Sequence, residues 1–159
     1  MKKKKLLFPI IMMIILLMGQ TLNVWAAETE WYDLQEITEN SDAEKISEEE
    51  LSITPYSRYI MGAKVIVKRP SSDVIMMRSE VYCTETMKTI TTVFTLQKKV
   101  GNSWVNVGQG TVSTSNSNSM YKSMEATGVS AGTYRCVADT RVTSKSGYTE
   151  SVSITSNQI

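Results

Sequence analysis

The 159-residue chain contains no histidine. That removes the one side chain whose ordinary pKa falls between about 5 and 8, the commonest nitrogen ligand for metals, and any Ser-His or Cys-His nucleophile pair. Cysteine is nearly as scarce. Cys83 and Cys136 are the only two, too few for a four-cysteine zinc site and without histidine for a mixed one. The six acids of residues 53–159 are Asp73, Glu80, Glu85, Glu125, Asp139 and Glu150, and no local spacing pairs two of them for acid–base work. There is no GxSxG, no phosphate-cradling glycine loop and no calcium-loop pattern. Together these absences predict a chain that is not an enzyme, with no cofactor and no metal site.

The N-terminus carries the clearest positive signal. Lys2, Lys3, Lys4 and Lys5 precede an apolar run from Leu6 to Met18, and Val24-Trp25-Ala26 follows with small residues at the positions a signal peptidase reads. This layout predicts a secretory signal over residues 1–26. A transmembrane anchor would need about 20 apolar residues, and this run is shorter and holds Pro9. The expectation is cleavage after Ala26, no stable membrane anchor afterwards, and release into the extracellular space.

Charge is unevenly divided. Between Glu28 and Glu50 stand ten acids and one base, Lys45, whereas from Ile53 onward twelve Lys or Arg face six acids. Residues 27–52 therefore read as a flexible acidic arm, because such a composition buries too little to offset chain entropy. Within it Trp31, Leu34 and Ile37 recur every three residues, which allows a short amphipathic turn. The arm could be a propeptide, a mask over the basic domain, or a solvated spacer. The positive residues of the 53–159 domain are scattered, which does not point to nucleic acid.

From Ser57 onward helical periodicity is missing. Short runs rich in Val, Ile, Thr, Tyr and Ser alternate with Gly, Asn and Ser clusters. Seven strands are expected: RYIMGAKVIVK, MRSEVYCTET, TITTVFTLQKK, SWVNVGQG, MYKSMEAT, TYRCVADTRV and YTESVSITS. TVSTSNSNS reads as a polar loop or weak edge strand. Tight hairpins are expected across Gly101-Asn102 and Ser146-Gly147. Seven strands without helices between them predict an all-β fold, an antiparallel sandwich.

The stretch VSAGTYRCVAD resembles the start of strand F in immunoglobulin-like domains. There a Tyr two residues before the second cysteine turns back, and its hydroxyl bonds backbone a few residues upstream. The resemblance gives Tyr134 this corner role, with Gly132 relieving the crowding beneath its ring. It also implies a partner cysteine on strand B, so Cys83 and Cys136 would form one inter-sheet disulfide. Two buried free thiols, or pairing between chains, are the alternatives. The tryptophan of strand C in such domains has no counterpart here, and Phe94 stands eleven residues after Cys83 in its place. The order of TLQKKVGNSWVNV and GVSAGTYRC behind a signal peptide also looks like small secreted bacterial proteins of unknown function.

Trp104, Tyr121 and Tyr148, with Tyr59, are candidate binding aromatics, since rings on an outward strand face can stack on sugars or anchor a protein contact. Core or edge packing is the alternative for each. The functional expectation is a secreted, non-catalytic binding or surface-interaction module whose partner is a protein or glycan at a cell surface or envelope. A second expectation is a secreted antagonist, peptide-toxin-like or an enzyme inhibitor, masked by its acidic arm.

Overall fold

The computed structural model describes residues 30–38 and 57–159. The expected signal segment and most of the acidic arm lie outside these residues. Six strands are present and, among the described residues, no helix. They are β1 (Tyr32–Ile37), β2 (Ile60–Ser71), β3 (Val74–Val100), β4 (Ser103–Thr127), β5 (Tyr134–Thr143) and β6 (Thr149–Thr155). Their order is β1-β4-β3-β5-β6, with β2 also paired to β3. The hairpin turns fall where expected, with Gly101 and Gly147 at φ +59° and +88°, a conformation that costs glycine little.

Five strands after residue 57 stand where seven were expected. The second and third expected strands are one, β3, and the fourth, the TVSTSNSNS loop and the fifth are one, β4. A flat 27-residue strand would run about 90 Å, and β3 does not. Its first half pairs with β2 and its second half with β5. Between Tyr82 and Met87 it advances five residues while β4 moves only from Ser119 to Ser117. The surplus residues form a bulge, and Asn116 opposite holds φ +51°. Bulges bend strands, and this one folds β3 back over itself. Ser79 and Thr92, on the two halves of β3, meet at 3.4 Å through their hydroxyls, and Thr92 meets Thr140 of β5 at 2.6 Å.

Side-chain alternation follows the fold. Ile75, Met77, Val81 and Cys83 point inward from the first half of β3, and Ile90, Phe94 and Leu96 from the second. The bulge holds three more residues than β4 opposite, an odd number, so inward parity on β3 goes from odd to even beyond Met87, while β4 keeps Val112, Met120 and Met124 inward throughout. Met120, Met124, Tyr134, Cys136, Ala138 and Val142 complete one apolar interior. Phe94 fills its centre, fully buried. The fold is thus all-β and antiparallel in its main ladders, consistent with the immunoglobulin-like architecture expected.

The expected disulfide is absent. Cys83 and Cys136 are both buried and unpaired. The register explains why. Cys83 pairs with Ile60, whose amide donates to the Glu150 carboxylate at 3.2 Å. Glu150 pairs with Val142 on β5, six residues from Cys136. Six residues of strand span about 20 Å, whereas a disulfide needs Cα atoms within about 7 Å. The thiols therefore sit at opposite ends of the interior. Burial, with Glu150 adding to it, pushes the Cys83 thiol up to about 11, and burial lifts Cys136 to about 12.

The arm also differs from the sequence expectation. Residues Tyr32–Ile37 are not a turn but a strand on the edge of β4. The pairing is parallel at Tyr32 and Asp33, against Gly108 and Gln109, and from Leu34 the partners descend from Ala126 to Ser123. β1 thereby bridges the two halves of β4. The period that matters is two: Tyr32 is buried and Leu34 packs on the core, while Trp31, Asp33 and Gln35 are exposed. An edge supplied by the rest of the domain orders a segment whose own composition favours disorder.

Candidate functional site

The outer face of the layer β4–β3–β5–β6 carries a row of polar side chains and one aromatic ring, Trp104. Alternation puts Gln97, Thr95, Val93, Thr91 and Thr89 on this face of β3, opposite the inward Leu96, Phe94, Thr92 and Ile90. Arg135, Val137, Asp139 and Arg141 hold the same face of β5.

At one end stands Trp104, half-buried. The Arg135 guanidinium lies 4.3 Å from the centre of its ring, and the Lys99 ammonium 5.9 Å. Arg135 Nε donates to Gln97 Oε1 at 2.7 Å, and Gln97 Nε2 donates to Asn106 Oδ1 at 2.9 Å. The register sets this cluster: Lys99 is paired with Trp104, and Gln97 with both Asn106 and Arg135. Such a cation-stacked indole is a flat, preoriented contact with little rotamer freedom left to lose.

At the other end the face dips into a depression of about 730 Å³. Thr89, Thr91, Asp139, Arg141, Ser151 and Ser153 are among its lining residues. The wall is hydroxyl-rich and carries one acid and one base. It can offer many hydrogen bonds, with Ser153 opposite Asp139 and Ser151 opposite Arg141 across β5 and β6.

Of the four aromatics singled out in the sequence, Tyr148 and Tyr59 meet, while Trp104 and Tyr121 stand apart from them and from each other. Trp104 belongs to this face. Tyr121 is half exposed on the other layer, edge-on to Tyr82 at 5.5 Å. Burial, and the nearby Tyr82 hydroxyl, push its phenol up to about 12. Tyr148 lies at the β5–β6 turn, its ring 5.5 Å from that of Tyr59. Trp104 pairs with Lys99, and the Tyr148 turn adjoins Thr149, opposite Thr143 and through it Thr89. The ten residues between Lys99 and Thr89 separate the two rings by about 33 Å of strand. Gln97, Asn106 and Arg135 escaped the sequence reading because each is an ordinary strand residue until the register sets them side by side.

Tyr134 and Gly132 build the rim at the Trp104 end of the domain, since Tyr134 pairs with Lys98, the neighbour of the Lys99 that pairs with Trp104. The Tyr134 hydroxyl donates to the Ser130 carbonyl at 3.1 Å. Gly132, at φ +152°, leaves space that a Cβ would share with Tyr134 Cε2 at 3.4 Å and Lys98 Cε at 3.1 Å. The Arg69 guanidinium lies 5.2 Å from the centre of the Tyr134 ring. Around this corner the arm is fastened. Glu30 Oε2 accepts from Tyr32, from Ser130 Oγ at 2.9 Å and from Lys98 Nζ at 3.3 Å. These bonds, the Tyr32 hydroxyl first, hold the Glu30 carboxyl below its ordinary value.

No protein family matches this chain, and no curated protein does. Among solved structures the chain is similar to ACE19, the collagen-binding subdomain of the Enterococcus faecalis surface protein ACE. The TM-score is 0.39 at 9% identity, over 66% of this chain and 97% of that one. Among the described residues, no helix is long and apolar enough to cross a membrane.

Proposed function

We propose that this chain is a secreted, immunoglobulin-like, non-catalytic binding module of the kind found in small bacterial exported proteins. Its contact surface is the outer face of β4–β3–β5–β6, and its partner is a protein or glycan at a cell surface or envelope. The observation that carries the reading is the Arg135–Trp104 stack, fixed by Gln97 and Asn106 at one end of a hydroxyl-rich face. Aromatic and arginine groups held rigid on a surface dominate the affinity of many interfaces. Nucleic acid is a poor fit, because the cations lie on separate faces: Lys64 and Lys68 are on β2, and Lys99 and Arg135 on the other layer.

The test is an unbiased screen of the pure chain against cells, envelope polymers and glycans, repeated with Trp104→Ala. A hot-spot ring of this kind is worth about 2 kcal/mol, so Trp104→Ala should weaken binding roughly 30-fold. Binding that Trp104→Ala leaves unchanged moves the contact off this face, and no binding at all sinks the reading.

A second reading is a secreted antagonist masked by its arm. What favours it is that arm carboxylates already hold domain lysines: Glu30 holds Lys98 and Glu36 holds Lys122. Deleting residues 27–52 should then raise an inhibitory activity, and an unchanged activity counts against it.

A further inference from the structure

β1 meets the body of the domain as a bound peptide would. Its alternate residues Glu30, Tyr32, Leu34 and Glu36 each meet a separate feature of the body. Glu30 takes Ser130 and Lys98, and Tyr32 accepts the Ser130 amide at 3.2 Å. Leu34 enters a slot over two glycines of β4. A Cβ on Gly108 would stand 3.2 Å from Leu34 Cδ2 and 2.9 Å from the Tyr32 carbonyl, and one on Gly110 would stand 3.0 Å from Leu34 Cβ. Glu36 pairs with Lys122. The edge of β4 thus reads an extended peptide of pattern Glu-x-Tyr-x-Leu-x-Glu, with main-chain pairing for affinity and alternate side chains for specificity, as in strand addition to a sheet edge.

Nothing in these contacts depends on the peptide belonging to the same chain. Residues 39–56 join β1 to the first described residue before β2. Eighteen residues reach up to about 60 Å when extended, more than the width of a domain this size. Contacts within a chain and between chains are then the same contacts, and effective concentration alone decides between them. Exchange of an identical element is a low-cost route to association.

We propose that the β4 edge is a strand-acceptor site and that residues 30–37 of a second copy of this chain are its ligand. Copies crowded together then exchange strands, and each linked unit presents its own outer sheet face. The acceptor groove and the outer face use different residues, so either can fail alone.

Gln35 and Glu125 are opposite one another in the register, and Gln35 is solvent-facing, which makes them a reporter pair. The intact chain is made in two forms, one with Gln35→Cys and one with Glu125→Cys, and the two are mixed at about 1 mM in a glutathione redox buffer. Exchange predicts a mixed disulfide-linked dimer. An excess of synthetic peptide spanning residues 30–38 should suppress it, and Leu34→Asp in the donating chain should lower its yield at least 10-fold. Asp33→Cys, whose position pairs with Gln109 instead, should give little. Both substitutions in one dilute chain should close an intrachain bond, which checks the register. Failure of that intrachain bond, absence of the mixed dimer, or equal yields from Asp33→Cys and Gln35→Cys would each overturn the proposal.

Discussion

Glu150 offers the sharpest test of how the two layers are closed. Its carboxylate accepts four hydrogen bonds: from Ser57 Oγ, Arg58 N and Tyr59 N at 2.8 Å each, and from Ile60 N at 3.2 Å. It therefore ties the start of β2 to the start of β6, where no ladder joins them. Glu150→Gln keeps the shape but leaves one acceptor oxygen and turns an amide donor toward backbone donors. A hydrogen bond to a charged group contributes about 1.5–3 kcal/mol when well buried. The Arg58 amide is exposed and water replaces part of what the substitution removes, so Glu150→Gln should cost about 2 kcal/mol. For a domain of about 100 residues that lowers Tm by roughly 8–16 °C.

The pH dependence carries a sign. Burial raises the Glu150 pKa, but the bonds from Arg58, Tyr59, Ser57 and Ile60 outweigh it and hold the carboxyl below its ordinary 4.5. A carboxyl depressed in the folded state stabilises fully above the unfolded value and loses that contribution as pH falls through the folded one. Thermal melts of the parent and Glu150→Gln should thus differ most above pH 5 and converge well below pH 4.5. A gap that stays constant from pH 7 to pH 3, or no gap at neutral pH, would refute the reasoning.

Three further outcomes follow from the interior. Phe94→Ala empties the centre of the core and should cost about 3–5 kcal/mol in urea unfolding, on the scale of large-to-small changes at fully buried sites. Tyr134→Phe removes the bond to Ser130 O, which still accepts from Arg69 Nη2 at 3.3 Å; with no orphaned carbonyl, the loss should be near 1 kcal/mol by the same measurement. Intact mass should show two free thiols, and they should react with a thiol reagent only as fast as the domain unfolds, because both are buried and neither ionises easily. Rapid reaction in the native state, or a mass two hydrogens lighter, would contradict the separation of Cys83 from Cys136.

The strand alternation of MRSEVYC and TYRCVADTRV, the glycine turns at Gly101 and Gly147, and the inward placing of Phe94 were legible because each depends on a few neighbouring residues. The bulge at Cys83–Thr86 was not, since it needs the count of β4 residues opposite. The same limit hid the candidate face. Trp104 stood out as a large aromatic, but only the register sets Arg135 and Gln97 beside it and carries Tyr121 and Tyr148 elsewhere.

The sequence by itself determined that this chain builds strands and turns, that acid–base and metal chemistry have no histidine to use, and that charge divides into an acidic arm and a basic domain. Tertiary structure decided what those pieces meet. It parted two cysteines that local pattern left free to pair, because inward orientation is set by alternation and distance along the interior is set by register. It also turned part of the acidic arm into a strand, because the β4 edge supplies hydrogen-bond partners, Lys122 and a glycine slot, and β3 supplies Lys98, none of which the segment can supply to itself.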